Sequence, residues 1–232
     1  MTPIRIFIGY DPNETVAYHV LAHSIMRHST WPVSITPLML DQLPMTRKRD
    51  PHQSTEFSFS RFLVPWLCNY EGMAIFMDCD MLMRGDISTM PCPASAVAVV
   101  KHFYTPRAEN KFLDQKQSAY EKKNWSSVMY FNNRLCTALT PEYVNTASGL
   151  ELHQFKWLNG DEEIGEIPKD WNHLVGEYSP NPNAKLVHYT LGTPCFKKYS
   201  RCEFAEEWLQ EKYLMMHHNT YGEYSLPLKT GT

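Results

Sequence analysis

The sequence has no basic block longer than Arg47-Lys48-Arg49, and its formal net charge is −3. A nucleic-acid surface needs clustered lysine and arginine to displace counterions from phosphates, so that class of partner is excluded. No apolar run approaches the ~20 residues that a membrane-spanning helix requires, which leaves peripheral association as the only membrane contact to consider. The cysteines at 68, 79, 92, 136, 195 and 202 are scattered, with no C-x-x-C spacing. They read as reduced thiols rather than a disulfide framework. Residues 1–9 run directly into an apolar strand, with no signal-peptide pattern, so the expected location is the cytoplasm. No internal repeat or linker interrupts the chain. One domain is therefore expected over residues 1–218, followed by a flexible tail at 219–232.

Hydrophobic residues make up 43% and charged residues 20% of 232, enough for a substantial core in one large α/β domain. Aromatics, at 13%, also flank polar segments. That suits an aromatic core first and a sugar- or base-binding surface second. Residues 4–8 are an apolar, β-branched run closed by Gly9-Tyr10-Asp11-Pro12, a strand and its turn. Val16, Val20, Leu21, Ile25 and Met26 recur near helical spacing over residues 14–28, and residues 33–40 form a second strand broken by Pro37. Strand, helix and strand in about 40 residues open a doubly wound sheet. Further strands are expected at 74–77, 96–100, 127–131 and 184–189, with helices at 57–70, 141–152 and 203–217. Residues 102–125 are too polar for core.

The chemistry concentrates where the apolar run Ala74-Ile75-Phe76-Met77 meets Asp78-Cys79-Asp80. Ligands of open α/β sheets bind at the carboxyl ends of strands, and residues i and i+2 of an extended segment face the same way. Two carboxylates so placed suit Mn²⁺ or Mg²⁺ shared with substrate phosphates; two solvated acids in a turn are the bland alternative. A second element, His188-Tyr189-Thr190-Leu191-Gly192-Thr193-Pro194-Cys195-Phe196-Lys197, adds an imidazole, a glycine and a lysine. His188 with Asp78 and Asp80 makes a two-carboxylate, one-imidazole set. In the first turn, Asp11 and Asn13 serve either to hydrogen-bond a nucleotide base or to cap the following helix.

A haloacid-dehalogenase-type phosphatase also sets Asp-x-Asp after an apolar strand and uses the first acid, here Asp78, as nucleophile. Its later acidic element would be Gly160-Asp161-Glu162-Glu163. In that family the first strand carries the motif, whereas here a whole βαβ unit precedes it, and Met81-Leu82 stand where a small hydroxyl residue is expected. A non-catalytic sugar-nucleotide-binding module is the third reading.

Residues 7–13, Ser58-Phe59-Ser60-Arg61-Phe62, residues 75–80, Lys123-Asn124-Trp125-Ser126-Ser127 and residues 188–197, in this order, resemble glycosyltransferase family eight, the glycogenin-like and lipopolysaccharide-galactosyltransferase-like group. The resemblance implies a GT-A fold, a Rossmann-like, mixed and mostly parallel sheet flanked by helices. It also implies a hexosyltransferase that takes a nucleotide-sugar, a UDP-sugar, with Mn²⁺ or Mg²⁺. Carried over by position, Gly9, Tyr10, Asp11 and Asn13 would border the base, and Arg61 the donor phosphate or sugar. Asp78, Cys79 and Asp80 would meet ribose and metal, and His188 would be the third metal ligand. Asn124, Trp125, Ser126 and Ser127 would line the sugar pocket, with Gly192 and Lys197 against the diphosphate. His153 and Gln154 fall at the acceptor side beside the reacting centre, as does Asp80. The family's His-x-x-Gly-x-x-Lys ending is stretched here to His188-x3-Gly192-x4-Lys197, and His153 replaces an expected acidic residue. The family likeness implies retention of anomeric configuration by same-face attack, with Asp161 or Glu177 as the alternative base.

Overall fold

The first 38 residues form the βαβ unit that their hydropathy predicts: β1 (Ile4–Gly9), α1 (Thr15–His28) and β2 (Val33–Leu38), with β1 and β2 parallel and in register Ile4↔Val33. The computed structural model describes residues 2–49, 53, 55–104 and 121–217. The expected tail at 219–232 lies outside the described residues, as do 105–120. β2 is an edge strand with half-buried and exposed residues alternating, and there Pro37 is tolerated because a missing N–H matters little at a sheet edge.

Residues 57–70 are not one helix. A 3-10 turn at Ser60–Leu63 leads into the short α2 (Val64–Leu67), with Pro65 in its first turn. A continuous helix would press the Pro65 ring against the carbonyl four residues earlier and lose that hydrogen bond. β3 (Met73–Met77) follows, then β4 (Met81–Met83), a strand the hydropathy reading passes over. β5 (Val97–Val99) and β6 (Val128–Asn132) complete the middle of the sheet. The expected helix at 141–152 is split into α3 (Pro141–Thr146) and α4 (Gly149–His153). Ser148 and Glu151 form a reciprocal capping box that starts the second helix afresh. β7 (Ile164–Glu166), β8 (His173–Leu174), β9 (Leu186–His188) and α5 (Ala205–Met216) close the chain.

The main sheet has the order β2-β1-β3-β6-β5-β7. Only β6 runs against its neighbours, so the sheet is the mixed, mostly parallel kind expected. β3 lies between β1 and β6 with four of its five residues buried, which is why it reads as unbroken hydrophobicity. Of the described residues at 102–104 and 121–125, His102, Lys123 and Trp125 are buried, contrary to the expectation from composition.

A second, three-stranded sheet of order β4-β9-β8 carries the other half of the site. It is held against α1, whose Ser24 hydroxyl accepts the Met83 N–H at 3.1 Å and donates to the Leu21 carbonyl at 2.8 Å. Alongside, the buried Glu211 of α5 takes Arg27 at 2.6 Å and His23 at 2.6 Å from α1. Ser24→Ala leaves the buried Met83 N–H without an acceptor. A loss of about 1–3 kcal/mol is expected in urea unfolding, as a lower midpoint with an unchanged slope.

Candidate metal and donor site

Chain direction brings the two sheets together at one point. β3 ends at Met77, and the Asp78 N–H donates to the Ser127 carbonyl at 3.0 Å, extending the β3–β6 ladder by one bond. Two residues later β4 begins and pairs antiparallel with β9 in register Met81↔His188. The Tyr189 N–H donates to the Asp80 carbonyl at 2.9 Å. These backbone bonds set His188 beside the acidic pair across more than a hundred residues of chain. His188 Nε2 stands 3.2 Å from Asp80 Oδ1 and 4.0 Å from Asp78 Oδ2. Ligand atoms from all three side chains lie within 4.8 Å of one another.

The residues fit a divalent cation. Asp80 Oδ1 is buried and accepts no hydrogen bond, although a carboxylate oxygen so placed needs a donor or a positive charge. A ring nitrogen faces it, and two carboxylates with one imidazole suit Mn²⁺ or Mg²⁺ better than a soft metal.

Positive charge is needed here for a second reason. Glu14 and Asp11 are buried close to Asp78 and Asp80. Burial first, then the charges of Asp80, Asp11 and Asp78, push the Glu14 carboxyl well above its ordinary range, and a bond from the Cys79 thiol opposes them. Cys79, pointing away from its acidic neighbours, is fully buried, and its Sγ lies 3.8 Å from Glu14 Oε2. Burial, and then Glu14, raise that thiol far above its usual value. Among the described residues a counter-charge comes from Arg61, 5% exposed, whose Nη1 meets Asp78 Oδ1 at 2.8 Å and donates to the Ser126 carbonyl at 2.9 Å. Its guanidinium lies over the rings of Phe76 and Phe57, with centroids 5.0 Å and 5.3 Å away.

The remaining expected site residues fall into three groups. At the first turn, Asp11 Oδ1 accepts the Asn13 N–H and side-chain amide, both at 2.9 Å, while Oδ2 accepts the Glu56 N–H at 3.1 Å. Asp11 thus caps the turn and ties down the loop before Phe57, while Asn13 is exposed and Tyr10 bonds Thr15 at 3.0 Å. Gly9 is required because a Cβ there would come 2.3 Å from the Phe57 ring. In the second group, Asn124 adopts left-handed backbone and its amide donates to the Tyr104 hydroxyl at 2.6 Å. Trp125 donates to the His102 carbonyl at 2.9 Å, and Ser126 bonds His153 Nδ1 at 2.7 Å. His153 is therefore held against the Asn124–Ser127 segment, with Gln154 next to it at the end of α4. Asp161 is exposed and paired with Lys122 at 2.5 Å, and Lys122 also bonds the Gln154 carbonyl at 3.0 Å. In the third group, Gly192 has φ +136°, and Tyr199 fills the space a side chain would take. Tyr199 belongs to the turn Lys197–Tyr199, where Lys197 is exposed. Glu177 is buried beyond β8.

Sequence reading did not single out two residues that touch this cluster. Glu14 was masked because Asp11-Pro12-Asn13-Glu14 has the spacing of an ordinary helix-capping box. Asn172, fully buried, meets His188 Nδ1 at 3.0 Å, and no local pattern marks it.

No protein-family model matches the chain. Over 223 residues it is 45% identical to Protein CDI of Arabidopsis thaliana, which covers 90% of this chain and 86% of that protein. Among solved structures, the WbbM bifunctional glycosyltransferase superposes with a TM-score of 0.66 at 15% identity over 93% of this chain. GlyE of Streptococcus pneumoniae gives 0.58 at 12% over 91%, and the galactosyltransferase LgtC, solved with donor and acceptor sugar analogues, gives 0.55 at 11% over 90%. The chain spans about half of WbbM (51%) and three-fifths of GlyE (60%), but 95% of LgtC. At these identities the likeness establishes the fold, that of the GT-A glycosyltransferases.

Glu14 sets a pH dependence whose sign follows from linkage. Between its ordinary value of 4.5 and its raised folded value, the unfolded chain has lost a proton that the folded chain keeps, so stability falls as pH rises. Glu14→Gln in metal-free protein is expected to raise the melting temperature at neutral pH, and the gain should vanish below pH 4.5. A difference that does not change with pH would contradict the assignment.

Proposed function

The chain belongs to the family of Protein CDI and has the GT-A fold, and from that premise we propose that it is a metal-dependent glycosyltransferase. It would move a sugar from a nucleoside-diphosphate donor, a UDP-sugar, to a hydroxyl acceptor. The observation that carries this reading is the convergence of Asp78, Asp80 and His188 at the carboxyl end of β3, with a buried carboxylate oxygen lacking a donor. The phosphatase reading is disfavoured because a complete βαβ unit precedes the strand that carries the acidic pair. A binding module without turnover is told apart by metal-dependent donor binding with no hydrolysis or transfer.

Asp78, Asp80 and His188 would hold the ion, Mn²⁺ or Mg²⁺, which when bound supplies Lewis-acid stabilisation of a diphosphate leaving group. Arg61 fixes Asp78 through a buried ion pair and offsets charge in the cluster. Its role would be to orient Asp78 and to add positive charge on the side of the donor phosphate. Lys197, exposed on the turn after β9, would neutralise the diphosphate. Asn124, Trp125, Ser126 and Ser127 form the wall against the donor sugar, and Gly9, Tyr10, Asp11 and Asn13 the edge against the base. His153 and Gln154 face the acceptor side. Transfer would retain anomeric configuration, with the acceptor attacking from the face that the diphosphate leaves and passing its proton to that phosphate. Asp161 is less suited as base, because Lys122 holds its carboxylate.

The six cysteines are unpaired, and no helix among the described residues is long and apolar enough to cross a membrane. Free thiols support a reducing compartment, and we place the protein in the cytoplasm.

Nucleoside-diphosphate sugars, screened with and without Mn²⁺, are expected to raise the melting temperature only when the ion is present, and at least one to be hydrolysed or transferred. Asp80→Asn should lower kcat/KM on the order of 10²-fold or more. A screen in which no donor binds or turns over would end this reading.

A further inference from the structure

We propose that Asn172 is a positioning residue for His188, holding the imidazole with its proton on Nδ1 and its Nε2 lone pair toward Asp78 and Asp80. The proposal rests on the metal reading above only for its consequence; the hydrogen-bond polarity stands by itself. Four groups form a buried chain. His188 Nδ1 lies 3.0 Å from Asn172 Oδ1, Asn172 Nδ2 lies 2.8 Å from Ser127 Oγ, and Ser127 Oγ lies 2.7 Å from the Asn124 carbonyl oxygen. All three side chains are at most 3% exposed, so no bulk water competes with these bonds.

The last member sets the direction of all the others. A carbonyl oxygen accepts only, so the Ser127 hydroxyl must give it its one proton. Ser127 Oγ can then only accept, and the group that donates to it is the Asn172 amide. This fixes the amide orientation, which is otherwise ambiguous between oxygen and nitrogen. The Asn172 oxygen is therefore turned to His188, and Nδ1 must be the donor. Nε2 is left to face Asp80 Oδ1 at 3.2 Å. Metal-bound histidines ordinarily give the other ring N–H to a carboxylate, a carbonyl or water, and losing that partner costs about 10–100-fold in metal affinity. Here an amide takes that place. A carboxylate would add yet another negative charge to a cluster already holding Asp11, Glu14, Asp78 and Asp80. The chain also ties the metal ligand to the segment Asn124–Ser127, so the wall of the donor pocket and the imidazole are positioned by one network.

The test is nitrogen-15 NMR of the His188 ring in metal-free protein, together with Mn²⁺ titration followed by electron paramagnetic resonance. Nδ1 is expected to carry a slowly exchanging proton in the unmodified protein, whether or not Nε2 is also protonated. Asn172→Leu should free that proton to exchange and weaken Mn²⁺ binding about 10-fold or more. Ser127→Ala, a milder change, should leave the fold intact and give a mixture of the two ring tautomers, because Asn172 is no longer locked. Asn172→Asp, which still accepts from Nδ1, should retain the Nδ1 proton. An unprotonated Nδ1 in the unmodified protein overturns the proposal, and that result needs no variant to fold. Unchanged Mn²⁺ affinity in folded Asn172→Leu overturns it equally. An unmodified protein that keeps the Nδ1 proton but binds no Mn²⁺ supports the relay and instead removes the metal reading.

Discussion

Most of the local structure around the site follows from one electrostatic constraint: four carboxyl groups are brought to the end of β3, and like charges at close range in a low-dielectric interior repel strongly. Each acid is managed differently. Asp11 is saturated with hydrogen bonds from Asn13 and the Glu56 N–H, Glu14 is held toward its neutral form, and Asp78 is paired with a buried arginine. Asp80 presents a buried oxygen with no hydrogen bond and no arginine beside it, and that oxygen faces His188 at 3.2 Å. The arrangement is thus compensated everywhere except where a cation fits. Such local incompleteness is what a site loses when optimised for stability alone.

The compensation explains parts of the fold that look unrelated to chemistry. Phe57 must lie flat over Gly9 for its ring and that of Phe76 to flank the Arg61 guanidinium, and only glycine leaves room for it. The 3-10 turn that carries Arg61 exists because Pro65 prevents a regular helix from running through residues 57–70. The small sheet β4-β9-β8 has too few residues to be stable alone, yet it delivers His188 and is braced by Ser24 and the Glu211 pairs across α1.

Legibility in the sequence differed by mechanism. β1, α1, β3 and β6 were readable because burial on both faces leaves continuous hydrophobicity and an amphipathic helix leaves a 3.6-residue period. β4 was not, since three residues carry no period, and α3 and α4 merged because their break is a capping box whose two residues also suit a helix interior. Among site residues, Asp78 and Asp80 announced themselves by following an apolar strand, and His188 by ending another. Glu14 and Asn172 carried no such sign.

The sequence by itself determined the βαβ opening, the acidic pair at a strand end, and the order of the motifs that resemble a glycosyltransferase family. These are local properties: side-chain period, turn chemistry and spacing are written in consecutive residues. Only the tertiary structure decided that Arg61 pairs with Asp78, that Glu14 lies beneath the acidic pair, and that Asn172 and Ser127 orient His188. Those contacts join residues 16 or more positions apart, brought together by two sheets of different order. Their energies depend on burial and on which donor meets which acceptor, and neither is fixed until the chain has folded.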